Sequence, residues 1–156
     1  MLKSEVRYGP PTATALERLA GEMRPVDREE VRLSHGLEPG PALEMSVAAS
    51  VRCRLAEDDL GPLAVFGVGA HMLSPVGSPW CLGSYRLDGY RREFARVSRP
   101  IVAWMRPGFE RLENWVYSGN IVSIRWLRSC GFILDPALPY GPAGALFHRF
   151  YMKGDP

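Results

Sequence analysis

The stretch LENWVYSGNIVSIRWLRSCGF, residues 112–132, changes its hydrophobic period part-way along. Its first seven residues, rich in aromatic and β-branched side chains, suit a strand. Ser118-Gly119-Asn120 breaks that strand, and Ile121, Ile124 and Leu127 then return at helical spacing. A strand that turns straight into a helix is half of a crossover unit, so the chain must contain at least one parallel strand pair and belongs to a mixed α/β class. The spacing assigns Asn120 as the helix N-cap, Ile121, Ile124 and Leu127 to the sheet-facing side, and Gly131 to the left-handed position after the last turn.

The rest of the chain supplies the other elements. Residues 5–8 form a short strand that Pro10-Pro11 ends. Thr14-Ala15-Leu16-Glu17 is a capping box before a helix with Leu16, Leu19 and Met23 on one face. A second helix starts at Asp27 and runs out at Gly36, and Pro39-Gly40-Pro41 separates a third at residues 42–49. From Val51 the period drops to two. The acidic turn Glu57-Asp58-Asp59 and Gly61 lead into the apolar run 63–72, which makes an antiparallel hairpin with a buried central strand. Gly67 and Gly69 begin like a dinucleotide loop, but Met72 takes the third glycine position and no helix follows, so close strand packing explains them. After SPVGSP comes another apolar strand at 80–82. Tyr90, Phe94, Val97, Ile101 and Met105 then mark a long helix that Pro100 should kink and Pro107-Gly108 closes. PALPYGPAG reads as turns, and residues 145–152 as a last strand. The sum is an α/β domain of the α+β type, residues 1–156 forming one unit.

Bulk composition narrows the function. A net charge of +2 gives no clustered cations for nucleic acid. No run approaches the roughly 18 to 20 apolar residues of a bilayer span, and MLKSEVRYGPP lacks the apolar stretch of a secretory signal, which points to a chain kept inside a cell. Cys53, Cys81 and Cys130, odd in number and set in apolar surroundings, read as buried free thiols. No G-x-S-x-G, HExxH or CxxC occurs, and no metal ligand set is expected.

The spacing of Asn120, Ser123, Leu127 and Gly131-Phe132 resembles the end of the acetyl-CoA site in GNAT-type N-acyltransferases. With WV at 115–116, GN at 119–120, IRWL at 124–127 and the closing LFHRFYM, residues 80–152 resemble a phage GNAT-like family that includes a small internal virion protein of short-tailed phages. Before Val51 only the order of elements agrees. The resemblance implies a GNAT-like mixed sheet with N-terminal helices and central antiparallel strands, in which residues 80–84 and 112–118 are parallel strands that splay apart. An acyl thioester would lie between them, and its pyrophosphate at the N-terminus of the helix beginning near Asp88.

In the family's pyrophosphate loop, Arg86 and Gly89 match and Arg91 stands where a small residue is usual, so Arg91 either blocks the diphosphate or pairs with it. The residues implied for acyl-CoA are Arg86, Gly89, Tyr90, Arg91 and Asn120. Leu127 replaces the tyrosine that protonates a leaving thiolate, and Trp80-Cys81-Leu82 offers no carboxylate, which leaves Tyr117, His71 and Tyr85 as substitutes. The resemblance therefore implies a degenerate acyl-CoA site on a protein that contacts phage or host proteins, in virion assembly, internal virion content or host modulation, located in the host cytoplasm or the virion interior. The alternative is an active acetyl-CoA-dependent N-acyltransferase acting on a protein or small-molecule amine. A third reading keeps only the scaffold, as a structural particle component.

Overall fold

The computed structural model describes residues 4–156. Strands β1 (Arg7–Gly9), β2 (Ser50–Asp58), β3 (Gly61–Ala70), β4 (Val76–Gly83), β5 (Phe109–Tyr117), β6 (Ile133–Leu134), β7 (Leu138–Tyr140) and β8 (Ala145–Asp155) form one sheet, ordered β1-β2-β3-β4-β5-β8-β6 with β7 also on β8. Helices α1 (Ala13–Glu22), α2 (Pro25–His35) and α3 (Pro39–Ala48) precede β2, α4 (Arg91–Met105) joins β4 to β5, and α5 (Ile121–Ser129) follows β5. Among the described residues no helix is long and apolar enough to cross a membrane.

Strand alternation explains how two layers of helices are served at once. Leu55, Val65 and Leu82 join Leu19, Val31 and Leu43 in a core beneath α1, α2 and α3. The neighbouring positions Ala56, Phe66 and Val68, with Leu112 and Val116, join Ile101, Met105, Ile124 and Leu127 beneath α4 and α5. The central strand β3 is buried on both faces, which is why its sequence is a continuous apolar run. Gly67 is required by the same close packing: a Cβ there would lie 2.5 Å from the Arg52 carbonyl oxygen, whereas one at Gly69 would meet only ordinary contacts.

Several boundaries differ from the sequence reading, each for a local reason. Thr12, not Thr14, caps α1, its Oγ1 accepting from Ala15 N at 3.1 Å. Helix α2 begins at Pro25, whose missing N–H costs nothing at a first helical position. Asp27 is therefore inside the helix and buried. The Pro39-Gly40-Pro41 segment opens α3 for the same reason. Strand β3 stops at Ala70, leaving Met72 and Leu73 exposed at the hairpin tip. A 3₁₀ turn, Tyr85–Tyr90, precedes α4, so the helix expected near Asp88 starts at Arg91; it continues through exposed Pro100 to Met105. In α5, Ile124 and Leu127 face the sheet while Ile121 is half exposed. Strand β7 arises from residues read as turns, and β6 from Ile133-Leu134, which carry no element in the sequence reading, because β8 offers both an unpaired edge.

Strands β4 and β5 are parallel, and their pairing is confined to Val76 with Arg111 and Gly77 with Leu112. Beyond those pairs the strands part, as the splayed geometry requires. We predict that Gly67→Ala lowers unfolding free energy by about 1–3 kcal/mol, while Gly69→Ala stays within about 1 kcal/mol; urea denaturation of both variants checks this.

Candidate active site

The parted strands face each other with their backbone edges, and the groups on those edges can be assigned. In an antiparallel ladder alternate residues point N–H and C=O toward opposite neighbours. Ser84 N donates to Leu63 O on β3 at 2.8 Å, so Gly83, Cys81 and Pro79 turn the other way, into the gap. The Gly83 N–H is taken by Asp27 Oδ2 at 2.9 Å and its carbonyl by Arg24 N at 2.9 Å. Pro79 has no N–H, and its carbonyl accepts from Asn114 Nδ2 at 2.9 Å. Cys81 is left to direct its N–H into the gap from the middle of β4.

The β5 edge is managed in the same way. Ser118 N donates to Leu146 O on β8, so the N–H groups of Trp115 and Tyr117 face β4. Trp115 N donates to Asn114 Oδ1 at 2.9 Å, so one asparagine side chain serves both edges where the ladder would have continued. The Tyr117 N–H serves the Glu30 carboxylate. Asn120, 1% exposed, accepts from Ser123 N at 3.2 Å as the α5 cap and donates from Nδ2 to Glu30 Oε2 at 2.5 Å. Helix α2 thus ties to the end of β4 through Arg24 and Asp27, and to the β5–α5 turn through Glu30.

A cleft of about 1000 Å³ opens between these ties, lined on one side by Glu30, Met45, Trp80 and Trp115 and on the other by Arg91, Phe94, Ser123 and Leu127. Burial pushes the Glu30 carboxyl up, against the hydrogen bond from Asn120, to about 7. Its neighbour Asp27 is also raised by burial, against its pairing with Arg24 (Nε to Oδ2 at 2.9 Å). Burial raises the Cys81 thiol to about 12, so that side chain is inert and only its backbone matters here.

The residues singled out in the sequence are distributed unevenly about this cleft. Arg86 is ion-paired with Asp58, and Tyr90 Oη donates to the same carboxylate oxygen at 2.5 Å. Asp58 also accepts from Leu60 N at 2.9 Å and Gly61 N at 3.1 Å. Burial alone would raise this carboxyl, but the hydrogen bonds from Arg86 and Tyr90 prevail and hold it at about 2. Both side chains are committed to the β2–β3 hairpin and neither lines the cleft. Gly89 is exposed with open space around it. Arg91 and Asp88, both exposed, do line the cleft, beside an α4 N-terminus that has no side-chain cap. His71 lies exposed on the rim. The Tyr117 ring packs on Phe147 with centroids 5.5 Å apart, and Tyr85 is exposed outside the cleft.

The sequence reading missed Glu30, Asn114 and the Cys81 N–H. Glu30 had a signal: with Asp27, Val31 and Ser34 it occupies one helical face, so two carboxylates sit in the apolar stripe of α2. The other two depend on which strands fail to pair, which no local pattern states.

No family model and no curated protein matches this chain. Solved structures do. An acetyltransferase of the GNAT family from Streptococcus pneumoniae superposes with a TM-score of 0.65 at 12% identity, over 96% of this chain and 99% of the other. The chain has the GNAT fold. A spermidine N-acetyltransferase from Vibrio cholerae, in complex with CoA and spermine, matches with a TM-score of 0.66 at 14% identity, covering 96% and 95%. An aminoglycoside acetyltransferase in complex with coenzyme A matches with the same score, identity and coverage. The splayed β4–β5 pair and the helix after β4 are thus GNAT elements, reached here with almost no shared sequence.

Because the folded-state value of Glu30 is raised above its ordinary 4.5, the folded chain holds that proton more tightly than the unfolded one. The associated stability is full below about pH 4.5 and declines as pH rises to about 7. We predict that Glu30→Gln gains about 2 to 3 kcal/mol relative to the parent between pH 4.5 and pH 8; denaturation midpoints at both pH values check the sign.

Proposed function

We propose that this chain is an acyl-CoA-dependent N-acyltransferase whose reaction centre is the gap between β4 and β5. The observation that carries the reading is the pairing, in one cleft, of a carboxylate with a raised pKa and a backbone N–H directed from an unzipped strand edge. Acyl-CoA fits the residues present: the gap admits an extended chain, and the uncapped α4 N-terminus with Arg91 beside it suits a diphosphate. When bound, it supplies an activated thioester carbonyl to an amine.

The remaining roles belong to the chain itself. Cys81 N–H donates to the carbonyl oxygen, where negative charge develops during attack. Glu30, poised near neutrality, accepts the proton that the amine must lose. Asn120 positions Glu30 and does not reach the acyl donor with its own amide, since it is 1% exposed and does not line the cleft. Arg86 and Tyr90 brace the turn before α4 through Asp58, and Gly89 leaves that turn open to the diphosphate. A proton donor at Leu127 is dispensable, because a thiol with a pKa of about 8.5 needs little protonation to leave near neutral pH.

One observation favours the second reading, a binding-only protein acting on phage or host partners. Arg86, the loop cation expected at phosphate, is bound to Asp58 instead. The two readings separate cleanly. Millimolar acetyl-CoA should raise Tm by several degrees, and thiol release with an amine acceptor should follow. Glu30→Gln should lower kcat/KM by about 10²- to 10⁴-fold and remove the rise of rate with pH around 7, leaving the acetyl-CoA shift intact. Full turnover in Glu30→Gln would overturn the assignment of the base, and no acetyl-CoA shift at all would favour the binding-only protein.

A further inference from the structure

The helix-facing half of the cleft is built for a particular kind of acceptor. Strand alternation puts Trp80 and Trp115 on the α1–α3 face of the sheet, since Leu82 packs into the core beneath those helices and Leu112 and Val116 into the opposite one. The two tryptophans therefore flank the strand gap on the same side. Trp80 is fixed by its indole N–H, which donates to Ser50 Oγ at 2.8 Å. Trp115 stacks on Tyr140 with centroids 4.5 Å apart and planes at 17°.

Tyr140 is held near Glu30 by the loop that follows it. A Cβ at Gly141, φ +79°, would lie 2.3 Å from the Leu33 carbonyl oxygen and 3.0 Å from that of Ser34. That loop is pressed against α2 one turn beyond Glu30. Trp115, in turn, is two residues before Tyr117, whose N–H serves Glu30. An aromatic wall thus shares one cleft with the carboxylate.

Negative charge around the cleft is sparse, and Arg24, Arg91 and Arg125 line it as well. Its lining carboxylates are Glu30, Asp88 and Glu113. Asp88 belongs to the α4 side, and Glu113 is matched by Arg111 at 3.1 Å and Arg149 at 3.5 Å. Among the described residues, Glu30 alone remains on the acceptor side to meet a cation. A polyamine or aminoglycoside brings several cationic nitrogens, and each one left unmatched in a partly dehydrated cleft loses hydration without return. A single amine on a flat apolar body leaves no such excess, and its ring buries against Trp80, Trp115 and Tyr140.

Resting on the acyltransferase reading, we infer that the acceptor is a monoamine carrying an aromatic group, and that Trp115 and Tyr140 select it. On this inference the chain differs in acceptor chemistry from the spermidine and aminoglycoside acetyltransferases that share its fold.

The test compares tryptamine, phenethylamine and spermidine as acceptors with acetyl-CoA, and measures Tm shifts by tryptamine in the presence of CoA. We expect kcat/KM for tryptamine to exceed that for spermidine by about tenfold or more. Trp115→Ala and Tyr140→Ala should each raise KM for tryptamine by about tenfold with kcat and the acetyl-CoA shift retained; Trp115→Phe keeps the stack if the alanine variant does not fold. Preference for spermidine, or unchanged KM in both variants, overturns the inference while leaving acyl transfer in place. If no amine is acetylated although acetyl-CoA binds, the acyltransferase reading falls. A tryptamine Tm shift that Tyr140→Ala abolishes then still supports the aromatic compartment, and absence of that shift overturns both.

Discussion

Helix α2 acts as a strut across two strands that would otherwise close on each other. Strands running parallel a ladder spacing apart gain hydrogen bonds by zipping along their full length. An edge group left without a partner costs about 1–3 kcal/mol. Keeping the gap open therefore requires substitutes for the missing ladder. The chain provides them one at a time: Asp27 and Arg24 N for Gly83, Asn114 for both Pro79 O and Trp115 N, and Glu30 for Tyr117 N. Two of these substitutes are carboxylates carried by one helix. Burying them is expensive, as the upward pressure on both shows. The Arg24–Asp27 pair thus contributes geometry more than net stability, a general property of buried ion pairs.

The turn after β4 is held by a side chain that the resemblance would have assigned to phosphate. Arg86 sits where a phosphate-binding loop would present a cation, yet its guanidinium and the Tyr90 hydroxyl converge on Asp58, which also closes the β2–β3 turn through Leu60 and Gly61 N–H groups. Four donors on one carboxylate explain its depressed pKa and lock the turn against the hairpin. The same lock fixes where α4 begins, and α4 begins without a side-chain cap, with Arg91 lining the cleft. The Arg86 cation thus serves rigidity, and Arg91 is the arginine that lines the cleft at that end.

Much of the architecture was legible because it rests on periodicity. The β2–β3 hairpin, the buried run of β3, the amphipathic α4, and the strand, cap and helix of residues 112–132 all follow from alternation or helical spacing, and Asn120 and Gly131 behave as their types demand. What escaped was set by tertiary context. Helix α2 starts two residues before Asp27 because Pro25 suits a first turn, and that shift moves Asp27 from a cap to a buried ligand of Gly83. Strands β6 and β7 exist because β8 has an edge to offer, not because LPY is a strong strand former. The site was harder still. Glu30 stands 90 residues from Asn120 in the chain, and the charged run DREEVR hides it among solvent-facing neighbours. Only its register with Val31 and Ser34 separates it from Glu29.

That register has a chemical consequence. An isolated glutamate on a helix surface would be ionised at neutral pH and strongly hydrated, a weak proton acceptor. Turned inward, the Glu30 carboxylate loses water on most sides, and its position beside Asp27 adds like-charge pressure, so its affinity for a proton rises. The hydrogen bonds from Asn120 and the Tyr117 N–H pull the other way and stop the rise near 7. Were the carboxylate buried without them, it would stay protonated at neutral pH and accept nothing. With them, both protonation states are populated under ordinary conditions, which is where a group that takes a proton and returns it to solvent is most effective. The α5 cap and the tuning of Glu30 are consequently one interaction: the amide of Asn120 cannot leave either partner without releasing the other.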